Sequence, residues 1–262
     1  MQLSISNLAW DIKWNHKVYT WMQKKGFTGL EIAPTKIFPI LPYQQLEQAF
    51  DWKQKLVKTY GLQISSMQSI WYGRQENLFR SEEEREWLLQ YTKQAILFAE
   101  CLECKNLVFG CPRNRFLAEG VEAKDAVSFF YKMGEYAFYH NTVIGMEANP
   151  AIYHTNYINF TKDAIMLIKE VKSKGFRLNL DLGTIIENQE NLSDLAEYGE
   201  LIHHVHISEP NLKKIIPRKI HLELKNFLKD INYQGYLSIE MGQQEDLTAI
   251  EQVLDYVKEI FE

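Results

Sequence analysis

The chain has 262 residues and a mass of 30.9 kDa, a length that suits one large domain or two small ones. Its hydrophobic fraction of 46% and charged fraction of 24% are typical of a globular protein and exclude a disordered one. With 29 basic and 34 acidic residues the net charge is −5. This charge argues against a protein that binds nucleic-acid backbones over a large surface.

Targeting and membrane-spanning patterns are not predicted. Residues 1–6 lack the basic stretch and apolar run of a signal peptide, and no window approaches the roughly 18 consecutive apolar residues of a membrane span. Three cysteines do not suit a disulfide framework, so we expect a cytoplasmic protein. Cys101 and Cys104 have the spacing of a zinc or redox pair. No local histidine completes four ligands, so plain structural cysteines are favoured.

Short β-branched runs alternate with longer amphipathic stretches along the whole chain. The predicted strands cover residues 3–10, 29–33, 63–68, 106–110, 142–148, 176–182, 204–208 and 236–241. The predicted helices cover about residues 18–25, 44–60, 81–101, 124–139, 162–174, 193–201, 222–231 and 247–261. Ser81 and Glu84 have the spacing of a capping box at the start of the third helix.

Eight strand–helix units in this length predict an α/β fold, a single-domain (β/α)8 TIM barrel over residues 1–262. A doubly wound open sheet is the rival architecture. It is disfavoured because no Gly-x-Gly-x-x-Gly segment or P-loop follows any predicted strand. No Pro-, Gly- or Ser-rich linker divides the chain.

Four ionisable residues stand at the ends of the last four predicted strands: Glu147, Asp181, His206 and Glu240. Active sites of such barrels lie at this end of the strands. Taken singly, each carboxylate also fits a solvated rim residue, and His206 also fits a core histidine. Together, three buried carboxylates would repel one another, and a divalent cation resolves that conflict. The ligand set suits Mn²⁺, Mg²⁺, Co²⁺ or Zn²⁺ without choosing among them.

This pattern resembles the sugar isomerase/epimerase superfamily of xylose isomerase-like barrels, which includes ketose 3-epimerases, hydroxypyruvate isomerase, inosose dehydratase and, more distantly, apurinic endonucleases. The resemblance covers essentially the whole chain and rests on residues 145–147, 180–181, 204–209 and 235–240. It implies that Glu147, Asp181, His206 and Glu240 ligate one divalent ion. It also implies that Glu147 and Glu240 act as the catalytic proton-transfer bases.

The resemblance predicts a metal-dependent isomerase or epimerase of a sugar or sugar phosphate, an enzyme of carbohydrate metabolism. A metal acting as a Lewis acid stabilises an enediolate, while two carboxylates move protons on its opposite faces. The alternatives are a metal-dependent dehydratase, a hydrolase or endonuclease of the same barrel, and a non-catalytic sugar-binding barrel. The expected partner is a small sugar, with no nucleic acid and no membrane, and a homo-oligomer is left open.

Three positions depart from the ketose 3-epimerase pattern, because Thr184, Leu212 and Tyr153 replace the polar residues found there. Poor activity on free ketohexoses is therefore expected. Asn149 and Tyr153 are predicted as replacement hydrogen-bonding groups for the substrate. Glu209, which keeps the family's carboxylate after the seventh strand, is also expected to bind the substrate.

Two further features bear on substrate binding. Trp71 follows the third predicted strand and is a candidate to cover the apolar side of a sugar, with core packing as the alternative. The basic residues Lys213, Lys214 and Arg218 follow the seventh strand. They fit either a phosphate or carboxylate contact or an ordinary solvated loop.

Overall fold

The computed structural model describes residues 1–262 as eight parallel strands that close into a barrel in sequence order. The strands are β1 (Gln2–Ser6), β2 (Gly29–Ile32), β3 (Gln63–Met67), β4 (Leu107–Phe109), β5 (Ile144–Met146), β6 (Phe176–Asp181), β7 (Ile202–Ser208) and β8 (Tyr236–Glu240). The barrel closes where β1 pairs with β8. The predicted (β/α)8 TIM barrel is confirmed.

Helices follow the strands and cover the outside of the barrel. They are α1 (Asn15–Lys25), α2 (Pro34–Ile37), α3 (Leu46–Tyr60), α4 (Glu82–Cys101), α5 (Ala126–Tyr139), α6 (Thr161–Val171), α7 (Leu182–Asn188), α8 (Lys219–Asp230) and α9 (Leu247–Phe261). One continuous apolar core lies between strands and helices. None of the helices combines the length and apolarity needed to cross a bilayer.

Several elements differ from the sequence prediction, among them the short helix α2, which was not predicted. The first strand ends at Ser6 rather than at Trp10, because the Ser6 hydroxyl accepts a hydrogen bond from the Leu8 amide at 3.2 Å and starts a 3-10 turn. After β6, helix α7 begins at once at Leu182, capped by Asp181, and residues Leu192–Leu201 form a 3-10 helix instead of the expected α-helix. Helix α7 was not predicted.

The start of α4 was predicted correctly. The Ser81 hydroxyl accepts from the Glu84 amide at 3.1 Å, as a capping residue does. Only half of the capping box forms, because the Glu84 carboxylate accepts from the Asn77 amide at 2.6 Å instead of reaching back to Ser81. The three cysteines are free thiols, and no cluster of metal-ligating side chains includes them.

Strand register places the last strands' ionisable residues side by side. Asp181 at the end of β6 pairs with His206 in β7, and Ser208 in β7 pairs with Glu240 at the end of β8. Because parallel strands end on the same rim of the barrel, these residues face one another at the carboxyl ends of the strands.

Candidate metal centre and active site

The four side chains predicted at the strand ends meet in one cluster, which we call the quartet: Glu147, Asp181, His206 and Glu240. One ligand atom from each lies within 4.8 Å of the others, and all four residues are buried. The Nδ1 atom of His206 is 2.9 Å from Oε1 of Glu147 and 3.2 Å from Oε2 of Glu240. Glu147, directly after β5, and Glu240, at the end of β8, therefore approach the same nitrogen of the imidazole.

Asp181 is held by the turn that starts α7. Its Oδ2 accepts from the Thr184 amide at 2.7 Å and from the Thr184 hydroxyl at 2.9 Å. Its Oδ1 accepts from the Ser208 hydroxyl of the neighbouring strand. Thr184, which departs from the family pattern, is thus a support for the carboxylate.

The two oxygens of Glu147 have different surroundings. Oε1 accepts from Asn179 at 2.8 Å and faces His206 inside the quartet. Oε2 accepts from the Asn149 amide at 3.1 Å and lies beside Gly110, on the cavity side.

A second buried cluster lies behind the quartet. Oε2 of Glu31, on β2, is 2.9 Å from Nε2 of His206 and 3.1 Å from Nε2 of His204. The other Glu31 oxygen accepts from Gln68 at 2.9 Å. His206 is thus flanked by carboxylates on both ring nitrogens.

Burial dominates the electrostatics of the site. Burial, reinforced by the charge of Glu147, raises the pKa of Asp181 to about 6. Burial also raises the pKa of Glu240 to about 7, with the charges of Glu147 and Asp181 adding to the shift. Burial disfavours a charged His206, but Glu31 and Glu240 outweigh it and raise its pKa well above the ordinary value. Burial likewise opposes ionisation of Glu31, yet His206 and His204 hold the pKa of that carboxyl below its ordinary value.

These shifts test whether a cation fits. Raised carboxyl pKa values mark negative charges crowded into a buried space, which a divalent ion would relieve. Three carboxylates and one imidazole nitrogen, all within 4.8 Å of one another, are a suitable donor set for such an ion. The quartet fits one divalent cation on both grounds.

A cavity of about 720 Å³ opens above the quartet, within the size range of small-molecule sites. Glu147, Asp181 and Glu240 form part of its wall. The loops after β3 and β4 and the segments after β5 and β7 supply other lining residues, among them Gln68, Trp71, Tyr72, Gly110, Asn114, Asn149, Tyr153 and Leu212.

Three of the four predicted substrate contacts line the cavity. Asn149 and Tyr153 line the cavity, and the Tyr153 hydroxyl also accepts from the Asn211 amide at 2.9 Å. Trp71 lines the cavity too, but it is only 2% exposed and its indole N–H donates to Thr92 at 2.8 Å. Its ring is mostly part of the core.

Glu209 is not brought to the cavity. Its carboxylate binds the Arg218 guanidinium through contacts of 2.8 and 2.7 Å, so Arg218 is neutralised as well. Of the basic run, Lys214 donates to Gln252 at 3.1 Å and Lys213 is exposed. None of these residues lines the cavity.

Several residues around the site were not predicted, namely Glu31, Asn179, His204 and Arg115. A signal existed for three of them. Glu31 and Asn179 are polar residues inside otherwise buried strands, and such residues need partners. His204 stands two residues before His206, so the two side chains share one face of β7. Nothing in the local sequence marks Arg115.

Comparisons with known proteins agree with this architecture. A model of the xylose isomerase-like TIM barrel family matches residues 20–260. The D-psicose 3-epimerase of Clostridium cellulolyticum H10, solved with D-tagatose, has a TM-score of 0.81 at 17% identity, covering 100% of both chains. The 3-keto-D-glucoside 4-epimerase of E. coli has a TM-score of 0.78 at 19% identity, covering 99% of both chains.

A family 2 AP endonuclease of Brucella melitensis is also similar, with a TM-score of 0.73 at 18% identity and 98% of both chains covered. No curated protein sequence matches the chain. At such low identities, these solved structures establish the shared fold and not a shared reaction.

Proposed function

The chain belongs to the xylose isomerase-like TIM barrel family, and from that premise we propose that it is a divalent-metal-dependent isomerase or epimerase of a sugar or sugar phosphate. One observation carries the proposal. Carboxylate oxygens of Glu147 and Glu240 lie 2.9 and 3.2 Å from the same Nδ1 atom of His206, and both residues line a cavity large enough for a sugar. The epimerase activities named for two structurally similar proteins support it.

The quartet would hold the ion in this proposal, with Nδ1 of His206 and one oxygen from each of Glu147, Asp181 and Glu240 as donors. A divalent ion bound there supplies Lewis acidity, which polarises a carbonyl oxygen and makes the neighbouring carbon more acidic.

The protein groups then move the proton. In epimerisation, one of Glu147 and Glu240 removes the proton from the carbon next to the carbonyl, and the other returns a proton to the opposite face. In isomerisation between aldose and ketose, one base suffices, with a second proton passed between the oxygens. Burial of both carboxylates keeps bulk water from competing for the proton.

Polar groups in the cavity wall suit hydroxyl-rich ligands. Gln75 provides an amide, and Tyr72 provides an exposed aromatic ring on the loop after β3. Leu212 is the apolar exception among the positions that depart from the ketose 3-epimerase pattern, and it lines the same cavity. We therefore infer a substrate other than a free ketohexose of the fructose type.

The nuclease alternative has less support. Its chemistry needs additional histidine ligands after β2 and β3, and in this chain residues Ala33 and Gln68 follow those strands. The net charge of −5 also opposes binding to a polyanion.

The decisive experiment incubates the metal-loaded protein with a panel of sugars and sugar phosphates in D₂O and follows them by NMR. We expect one substrate to be converted, with deuterium entering a carbon-bound position next to its carbonyl. Glu240→Gln should abolish that exchange, whereas Glu245→Gln, the same change at an exposed position in the loop after β8, should leave it intact. Conversion without exchange, or full turnover by Glu240→Gln, contradicts the assigned roles.

A further inference from the structure

Arg115 is a buried cation without an acidic partner. It lies at the end of the 3-10 turn Pro112–Arg115 and is 0% exposed, yet no carboxylate oxygen lies within 4.0 Å of its guanidinium. Its Nε atom has no hydrogen-bond partner, and its closest polar contact is the Asn149 side-chain oxygen at 2.9 Å from Nη2. Burying such a group is unfavourable, so its position calls for a reason beyond packing.

That contact determines which way the Asn149 amide points. A guanidinium only donates hydrogen bonds, so Oδ1 of Asn149 must face Arg115 and the NH₂ group must face away. Nδ2 then donates to Oε2 of Glu147 at 3.1 Å and to the Ala148 carbonyl at 3.1 Å. Both amide hydrogens are used, which leaves Asn149 no free donor for a sugar hydroxyl.

The contacts from Arg115 to Asn149 and from Asn149 to Glu147 end at the cavity-side oxygen of Glu147. Oε1 of Glu147 is committed to the quartet, at 2.9 Å from His206, so Oε2 is the oxygen left to act on a substrate. Only Asn149 donates to it among the protein's hydrogen bonds. The orientation of Asn149, and through it of this oxygen, depends on Arg115.

We propose that Arg115 and Asn149 act as a pair of positioning residues that hold the cavity-side oxygen of Glu147 in place for proton transfer, and that Asn149 is not a substrate contact. This role rests on the proposed function for its effect on turnover. It replaces the sequence interpretation in which Asn149 hydrogen-bonds the sugar.

The first test compares Arg115→Met, Asn149→Ala and the double variant. Misplacement of a reacting group by about 1 Å lowers rates by about 100-fold, so each single variant should lower kcat by roughly 10- to 100-fold with little change in KM or metal affinity. The double variant should be no slower than the worse single one, because both act through the same contact. Additive losses, or a raised KM with unchanged kcat in Asn149→Ala, would overturn the proposal.

Asn156→Ala is the matched control. Asn156 also ties the loop after β5 to the loop after β4, through bonds of 2.8 and 2.9 Å to the Leu117 backbone, but it does not contact Glu147. Its loss should leave kcat unchanged. An equal loss in this control would mean that the loops need anchoring in general, which also overturns the proposal.

A second readout does not need turnover. In ¹⁵N-labelled, Mg²⁺-loaded protein, the Asn149 side-chain NH₂ signals, assigned by their absence in Asn149→Ala, should exchange slowly with water and stay in place when sugar is added. Arg115→Met should shift them and speed their exchange. If the wild-type signals exchange freely or move on sugar binding, the positioning role is wrong even where the proposed function holds. If no sugar is turned over, the proposed function fails and this measurement still decides the pair's role.

Discussion

Oε2 of Glu31 lies 2.9 Å from Nε2 of His206, so a carboxylate on β2 reaches across the barrel interior to an imidazole on β7. Carboxylates face both ring nitrogens, and the raised pKa of His206 keeps a proton on each of them when no ion is bound. An ion bound at Nδ1 would displace that proton and leave the other on Nε2, where Glu31 accepts it. Glu31 therefore selects the tautomer that a metal-binding histidine needs at this position.

The first prediction concerns this contact. Glu31→Gln keeps the size of the side chain but removes its charge and one acceptor oxygen, so we expect the affinity for Mn²⁺ to fall by about 10- to 100-fold. Isothermal titration of the metal-free protein measures it. Glu103→Gln, an exposed carboxylate paired with Lys53, is the control and should bind as the parent does. Equal affinities in all three proteins would show that Glu31 has no influence on the site.

The second prediction concerns metal content. The quartet should take up one divalent ion per chain, and His206→Ala should lose it, because the remaining donors are carboxylates that repel one another. Elemental analysis after loading with Mn²⁺, Co²⁺ or Zn²⁺ and desalting gives the stoichiometry. His203→Ala is the control, because His203 is a half-buried histidine on the same strand whose ring bonds the Lys105 carbonyl instead of the quartet. A wild-type protein that retains no metal after any loading contradicts the proposed centre.

The third prediction is the pH dependence of the metal-free protein. The pKa is about 6 for Asp181 and about 7 for Glu240 in the folded chain, above the ordinary values of about 4. Between these values the folded state binds more protons than the unfolded state, so these two groups lower the free energy of unfolding as the pH rises from about 4 to about 7. The raised pKa of His206 adds to the loss at higher pH.

Thermal unfolding at a series of pH values checks this. The contribution of the quartet to the Tm of the metal-free protein should fall from mildly acidic to mildly alkaline pH, and a saturating divalent ion should raise the Tm most at the alkaline end. Glu240→Gln should flatten the metal-free profile. Parallel Tm profiles for the parent and Glu240→Gln would contradict the raised pKa of Glu240.

The quartet could be predicted from the sequence because each member is an ionisable residue at or near the carboxyl end of a predicted strand. That pattern is local, and the barrel then brings equivalent strand ends to one rim. The end of β1 and the start of α7 were harder to predict. Each depends on a side chain, Ser6 or Asp181, that caps the next turn. The same residues also suit strand and loop conformations, so the sequence alone does not decide between them.

The contacts that support the quartet could not be predicted from the sequence for a different reason. The partners Glu31 and His206 are separated by 175 residues, and Arg115 and Asn149 by 34. Only the three-dimensional structure pairs them. The structure likewise shows that Glu209 binds Arg218, although the family pattern of its segment favoured a role in substrate binding.

The last prediction tests how tightly the cavity-side oxygen of Glu147 is held. A Cβ atom at Gly110 would lie 2.8 Å from this oxygen and 3.3 Å from Oδ1 of Asn149, so Gly110→Ala forces the carboxylate to move. Gly110 does not adopt a positive φ, so the added methyl group should strain the contact and not the backbone. We expect kcat to fall by roughly 10- to 100-fold, with the Tm and metal stoichiometry close to those of the parent. Steady-state kinetics, thermal unfolding and elemental analysis on one preparation separate these effects. A fully active Gly110→Ala would mean that Glu147 reorients freely and that its position does not limit the reaction.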